Sequence, residues 1–252
     1  MITIKSSEEI EKLRESGRIV GDVFRHIAPM MVPGVSTEKI DREIAEFIVS
    51  QGARPAFKGI QNAEGVPFPG NSCISIDEEV VHGIPNGRKL ESGQIVGVDV
   101  GTEKDGYYGD AARTFLIGHV NAEKMRLVRV TREALELAID QARVGNHLGA
   151  ISNAVQSHVE NAGFSVVRDL VGHGIGKELH EPPQIPNFGH PAQGPKLRSG
   201  MVFAIEPMVN VGGWKVNFLR DGWRVVSADG SPSAHFENTI VITESNPEIL
   251  TS

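Results

Sequence analysis

The two halves of this 252-residue chain repeat one another, and that repeat constrains its fold more than any single segment does. Gly34, Ile40, Ile44, Ile48 and Gly52 recur as Gly145, Ile151, Val155, Val159 and Gly163 at a constant offset of 111 residues. His82-Gly83-Ile84 recurs as His173-Gly174-Ile175, and the run from Ser92 to Asp99 lines up with Ser199 to Glu206 at an offset of 107. A period this long does not build a solenoid. It predicts a duplicated α+β unit, about 1–118 and 119–252, closed on a pseudo-two-fold axis into one domain spanning 1–252.

The local pattern agrees with helix, helix, strands in each half. Ser6 and Glu9 form a capping-box signature, and Leu13, Val20, Phe24 and Ile27 follow at helical spacing until Pro29. A second helix is expected from Ser36 to Gly52, a third over about 122–143 with Met125, Val128, Leu135 and Ile139 on its apolar face, and a fourth from Leu148 to Asn161. Strands are expected at Cys73–Ile76, Val80–Ile84, Phe164–Val171, Met201–Ile205, Arg224–Ala228 and Phe236–Thr243. The proline-rich stretch 181–199 reads as a loop.

Between Gly93 and Gly118 two further strands surround an Asp-Gly turn, each with a carboxylate, Asp99 and Asp110, among apolar or small residues. Aspartate is depleted in strands and is seldom buried without a partner. The repeat pairs Asp99 with Glu206, and Asp110 in YYGDAART with Glu237 in AHFENTI. Four carboxylates brought together by the two-fold cannot all stay ionised without cations. With His173 as the imidazole and no thiolate ligand, such a cluster suits divalent Mn, Fe, Co or Zn, and bridging carboxylates allow two ions and two-metal hydrolysis. His180, beyond the glycine-rich turn after His173, and His82, at the end of a strand in the other half, are candidates for contact with a substrate. His119, His147, His158 and His190 read as surface residues; His26 and His235 read as structural, His235 with its ring on the face opposite Glu237.

The bulk numbers exclude other classes. A net charge of −7 gives no broad basic face for nucleic acid or an anionic membrane. The single cysteine, Cys73, precludes an internal disulfide and fits a reducing cytoplasm. No stretch approaches a membrane span, and the N-terminus has no signal-peptide core, so a cytoplasmic protein is expected.

Together GVDVGTEKDGYYGDAARTF, GHGIG with LHEPPQIPNFG, FAIEPMVN and SAHFENTIVITE resemble the methionine aminopeptidases of the type I, bacterial-like class, over nearly the whole chain. The resemblance implies the α+β pita-bread fold, two pseudo-symmetric halves with a central antiparallel sheet and outer helices forming a single catalytic domain. It implies two divalent ions, with Asp99 on one, His173 and Glu206 on the other, and Asp110 and Glu237 bridging them. Glu206 would accept and shuttle the proton, His180 would bond the scissile carbonyl, and His82 would contact the amide side of that bond. Phe68, Cys73 and Trp223 would line the methionine pocket, where a thiol and two aromatic rings suit a thioether. Leu179 and Gly65 depart from the family, which often carries aromatic residues there. The implied substrate is the initiator methionine of a nascent chain whose second residue is small. A monomer is expected, and contact with the ribosome stays open.

Two alternatives accompany this reading. Xaa-Pro aminopeptidases and dipeptidases share the ligand set but carry a large N-terminal domain, for which a first helix beginning near residue 6 leaves no room. Only 25 residues separate His180 from Glu206, too few for the helical insertion of the type II class. A non-catalytic binding module of the same fold is the third reading, disfavoured by the presence of all five ligands and both auxiliary histidines.

Overall fold

The computed structural model describes residues 2–252. Four α-helices are present: α1 (Ser7–Ile27), α2 (Thr37–Ser50), α3 (Ala122–Gln141) and α4 (Leu148–Asn161). The first half carries β1 (Arg54–Pro55), β2 (Cys73–Ile76), β3 (Glu79–Val81), β4 (Ile95–Lys104) and β5 (Tyr107–Leu116). The second carries β6 (Ser165–Val166), β7 (Val171–Gly174), β8 (Glu181–Pro186), β9 (Val202–Ile205), β10 (Met208–Asn210), β11 (Val216–Phe218), β12 (Val225–Ser227), β13 (Ser233–His235), β14 (Asn238–Val241) and β15 (Glu248–Ile249). No helix among the described residues is long and apolar enough to cross a membrane.

The helices begin where their caps dictate. Ser6 accepts the Glu9 N–H while the Glu9 carboxylate takes the Ser6 N–H, the reciprocal capping box that starts α1. Ser36 and Asn121 cap α2 and α3 in the same manner, each with its side-chain oxygen on an N3 amide. The buried stripe of α3 keeps Leu135 and Ile139 of the expected face but not Met125, which is 45% exposed; Leu127, Val130, Ala134 and Ala138 complete it. Alanine is the reason: its small side chain carries little hydropathy signal but lets α3 lie close against α4.

Every strand pair is antiparallel, but the central sheet is divided into several hydrogen-bonded ladders. One joins β1, β4 and β2 with β5 on β4; another runs β15-β14-β9-β7-β8. The β4–β5 hairpin turns on Asp105 and Gly106, whose φ of 51° and 80° are the left-handed pair a tight type I′ turn needs. The proline-rich stretch is not wholly a loop, because Glu181–Pro186 pairs with β7. It can do so because β8 is an edge strand, where a missing N–H costs the ladder nothing. The strand expected over 164–171 is broken between β6 and β7, and the one expected over 236–243 is trimmed to β14.

The helices cover the sheets with two separate apolar cores. In the first half Ile40, Ile44 and Ile48 of α2 pack with Val96, Val98 and Val100 of β4; in the second Ile151, Val155 and Val159 of α4 pack with Phe203 and Ile240. These are the repeat-related positions, so the repeat in the sequence is a repeat of core faces.

The chain's end is seated on its beginning. A Cβ at Gly17 of α1 would stand 2.5 Å from the Leu250 carbonyl oxygen, and one at Gly21 would stand 2.4 Å from that of Ser252. Backbone is not a flexible side-chain tip and cannot simply step aside. Gly17→Val is therefore expected to lower the unfolding free energy by about 1–3 kcal/mol, measured by denaturant titration. A value unchanged within error would show that residues 248–252 do not hold this position in solution.

Candidate metal centre and substrate cavity

The two halves meet along β5 and the break between β13 and β14. The Asp110 N–H donates to Thr239 Oγ1 at 3.1 Å, whose hydroxyl returns a bond to the Asp110 carbonyl at 2.7 Å. The Glu237 N–H donates to the Ala112 carbonyl at 2.9 Å, and Thr114 Oγ1 bonds both the N–H and the carbonyl of His235. Arg113 reaches across to the Glu237 carbonyl and to Asn238 Oδ1. Glu237 lies between strands because its amide is turned to the other half, and its carboxylate then faces Asp110.

Within the β4–β5 hairpin Asp99 stands opposite Ala112 and Asp110 opposite Gly101, so the two aspartates are diagonal neighbours on one face. Glu206 follows β9 directly and its side chain passes Gly172, where a Cβ would lie 2.5 Å from the Ala204 carbonyl oxygen and 3.4 Å from Glu206 Cγ. A glycine there leaves the Glu206 side chain its room. Ligand atoms of Asp110, His173 and Glu237 lie within 4.8 Å of one another, and Glu206 Oε1 is 3.6 Å from His173 Nε2. All five residues expected as ligands thus border one small volume lined from both halves.

The electrostatics of that volume call for cations. Asp99 Oδ1, Asp110 Oδ1 and Glu237 Oε1 are buried with no hydrogen-bond partner, which a structure tolerates only where something else satisfies them. Burial raises the Asp99 carboxyl to about 7 and the Glu206 carboxyl to about 8. Asp110 and Glu237 are pushed well above the ordinary range by burial first and then by the neighbouring carboxylates. His173 is prepared as a ligand: its Nδ1–H donates to the Gly174 carbonyl at 2.9 Å, leaving Nε2 as the lone-pair nitrogen on the carboxylate side. Burial holds its imidazole neutral, with the pKa lowered to about 3. This oxygen-rich, single-imidazole donor set fits hard or borderline divalent ions.

Beside the carboxylates opens a cavity of about 600 Å³. Phe68, Cys73, Leu179 and Trp223 line it, as expected, with Phe57 and Ile60. Phe68 meets Trp223 edge to face at 5.1 Å, and the indole N–H donates to the Val66 carbonyl at 3.2 Å, so the ring is held rather than free. Cys73 is 5% exposed and burial raises its thiol pKa well up, so it packs as a small apolar group. Gly65 does not line the cavity: it turns the adjacent loop at φ 77°, and a Cβ there would meet open space.

His82 and His180 stand at this cavity too. His82 has φ 59°, a left-handed backbone that a non-glycine residue adopts at a cost of roughly 1–3 kcal/mol. The strained turn aims its ring at Trp223, 5.9 Å away and edge on, and burial lowers its pKa to about 4. The His180 ring rests edge on against that of His173 at 4.4 Å.

His235 is the residue whose expected orientation the structure corrects. It precedes Glu237 by two positions, and in a pleated strand that spacing favours the same face. Its ring is buried with Nε2 3.6 Å from Glu206 Oε2 and no partner for that nitrogen. Counting strand parity from Glu237 would have placed it at the site.

A strained histidine, a neutral imidazole and four buried carboxylates in a two-fold α+β frame define a metal-dependent hydrolase site. The chain belongs to metallopeptidase family M24, whose profile matches residues 11–244, and within it to the methionine aminopeptidases. It is 48% identical over 251 residues to a methionine aminopeptidase of Clostridium perfringens, spanning 100% of this chain and 99% of that one. Methionine aminopeptidase 1 of Bacillus subtilis is 46% identical with the same coverage. The crystal structure of a methionine aminopeptidase from Thermotoga maritima superposes with a TM-score of 0.96 at 47% identity, with both chains covered completely. A prolidase from Pyrococcus horikoshii, 21% identical, shares the fold at a TM-score of 0.77 over 63% of its length. The pita-bread fold and a divalent-metal peptidase are thereby established for this chain.

Proposed function

We propose that the protein removes the initiator methionine from nascent chains whose second residue is small, using two divalent ions. Asp99 would hold one ion, His173 and Glu206 the other, with Asp110 and Glu237 between them. The observation that carries this reading is the convergence of five donors from both halves, three of their oxygens unpartnered, beside an apolar cavity lined by a thiol and the rings of Phe57, Phe68 and Trp223. When bound, the ions supply Lewis acidity toward a carbonyl oxygen and lower the pKa of water.

The chain's own residues do the rest. Phe68, Cys73, Leu179 and Trp223 take the methionine side chain and exclude water from that end of the cavity. His180 donates an imidazole N–H to the oxygen of the scissile carbonyl as negative charge develops there. His82 contacts the amide nitrogen of the same bond. Glu206 accepts at its carboxylate oxygen the proton that the attacking water gives up and passes it to the leaving amine. Initiator methionine is exposed as a chain emerges from the ribosome, so this reading places the protein in the cytoplasm, as a monomer acting on peptide N-termini.

Metal-loaded protein incubated with Met-Ala-Ser and with Ala-Pro peptides tests the assignment. Free methionine should appear from the first and no proline from the second. Release from the Ala-Pro substrate alone would favour the Xaa-Pro reading, and silence on both with Mn, Co and Fe would remove both enzyme readings.

A further inference from the structure

Lys5 takes no part in the chemistry outlined above, yet its side chain is only 5% exposed. Its Nζ donates to Glu181 Oε2 and to Thr3 Oγ1, both at 2.6 Å, and the Thr3 hydroxyl donates to the same Oε2 at 2.8 Å. The other carboxylate oxygen, Glu181 Oε1, accepts the backbone N–H of Lys177 at 2.9 Å and that of Glu178 at 3.4 Å. One carboxylate therefore ties residues 3–5 to the loop that leads from β7 to His180. Gly176 is bare at this knot: a Cβ would lie 2.2 Å from Lys5 Nζ and 2.4 Å from Glu181 Oε1. The N-terminal strip is itself anchored, since the Lys5 N–H donates to the Gly200 carbonyl at 2.8 Å.

The residue adjoining Glu181 is His180, whose ring makes no hydrogen bond among the described residues and touches His173 only edge on. Nothing grips the imidazole directly, so its direction is set by the backbone on either side of it. A buried ion pair is poor value as a stabiliser, because an apolar pair of the same size would serve as well. What it does supply is direction, through charge-assisted bonds with fixed geometry.

We propose that Lys5 and Glu181 are positioning residues that hold the 174–181 loop so that His180 is presented to the cavity. This rests on the reading of His180 as the group that bonds the scissile carbonyl. Residues 3–5 then help to orient His180 although none of them lines the cavity.

The test is a double-mutant cycle in the metal-loaded, full-length enzyme. Lys5→Met and Glu181→Gln should each lower kcat about tenfold on Met-Ala-Ser, with KM, metal stoichiometry and a cooperative melt retained. Lys5→Arg should restore most of the rate. In a His180→Ala background, adding Lys5→Met should change kcat less than twofold, because the group being positioned is gone. Multiplicative losses in the double mutant, or kcat for Lys5→Met and Glu181→Gln within twofold of the parent, would overturn the proposal. So would losses that track a fall in metal content or melting temperature in both variants, since that is what plain stabilisation predicts. If His180→Ala alone leaves kcat unchanged, it is the role given to His180 that fails, and the positioning proposal fails with it.

Discussion

Replacing Asp110 by Asn should make the metal-free protein more stable and the metal-loaded protein nearly inactive. The two effects have one cause. Asp110 is buried beside three other carboxylates, and without a cation it can lie there only by giving up its charge. An amide of the same shape removes the repulsion and the desolvation together, so the chelated protein should melt at a higher temperature. With metal, the change deletes the donor proposed to lie between the two ions and leaves Asp99, His173, Glu206 and Glu237 unable to hold both. Occupancy should fall to one ion or none by elemental analysis, and kcat on Met-Ala-Ser by a factor on the order of a thousand or more, as for removal of one member of a cooperating set. Glu237→Gln should behave alike, because its carboxylate is buried against Asp110 from the opposite half. Unchanged stoichiometry and rate in either variant would refute the bridging assignment. A lower melting temperature for metal-free Asp110→Asn would show instead that the carboxyl makes a bond there that the amide cannot.

That the ligands could be found in the sequence follows from what they are. A carboxylate inside an apolar strand contradicts its surroundings, and the internal repeat alone pairs Asp99 with Glu206 and Asp110 with Glu237. Core faces were legible for the same reason: Ile40, Ile44 and Ile48 and their partners in the second half recur at helical spacing. The misplaced features share another property, that distant groups decide them. Glu181–Pro186 forms a strand despite three prolines because the fold puts it at a sheet edge, which the segment itself does not encode. The stripe of α3 includes Ala134 and Ala138, small residues whose burial depends on the core they meet, and it leaves Met125 outside. The strand expected over 236–243 starts only at Asn238, because the Glu237 amide turns to Ala112, more than a hundred residues earlier in the chain. His235 is different: strand parity relative to Glu237 was available in the sequence and points to the site. The Lys5–Glu181 pair spans 176 residues and has no periodicity, so only the folded chain brings it into view.

Between pH 6.5 and 8 the stability of the metal-free protein should fall, while that of the metal-loaded protein stays nearly level. Asp99 and Glu206 have folded-state values of about 7 and 8, against ordinary values of 3.8 and 4.5. A raised carboxyl favours the native state fully below its unfolded value, and that contribution is lost as pH climbs through the folded value. Over this window the unfolded carboxylates are already ionised while the native ones still hold protons, so stability drops by up to about 1.4 kcal/mol per pH unit for each proton retained. The buried histidines pull the other way, but at lower pH. His173 at about 3 and His82 at about 4 are depressed from 6.5, so their contribution is intact above pH 6.5 and is lost only as the pH falls below it. Above pH 6.5 the carboxylates therefore act alone. A bound cation takes over the work of the proton, keeps the same oxygens ionised in the native state and removes the slope. Denaturant unfolding at several pH values, with chelator and with Mn, should give two curves that diverge toward pH 8. Titration calorimetry of the metal at pH 6.5, in buffers of different ionisation enthalpy, should show protons released on binding. Parallel stability curves with no proton release would mean that the carboxylates are ionised without metal, held by some other positive charge.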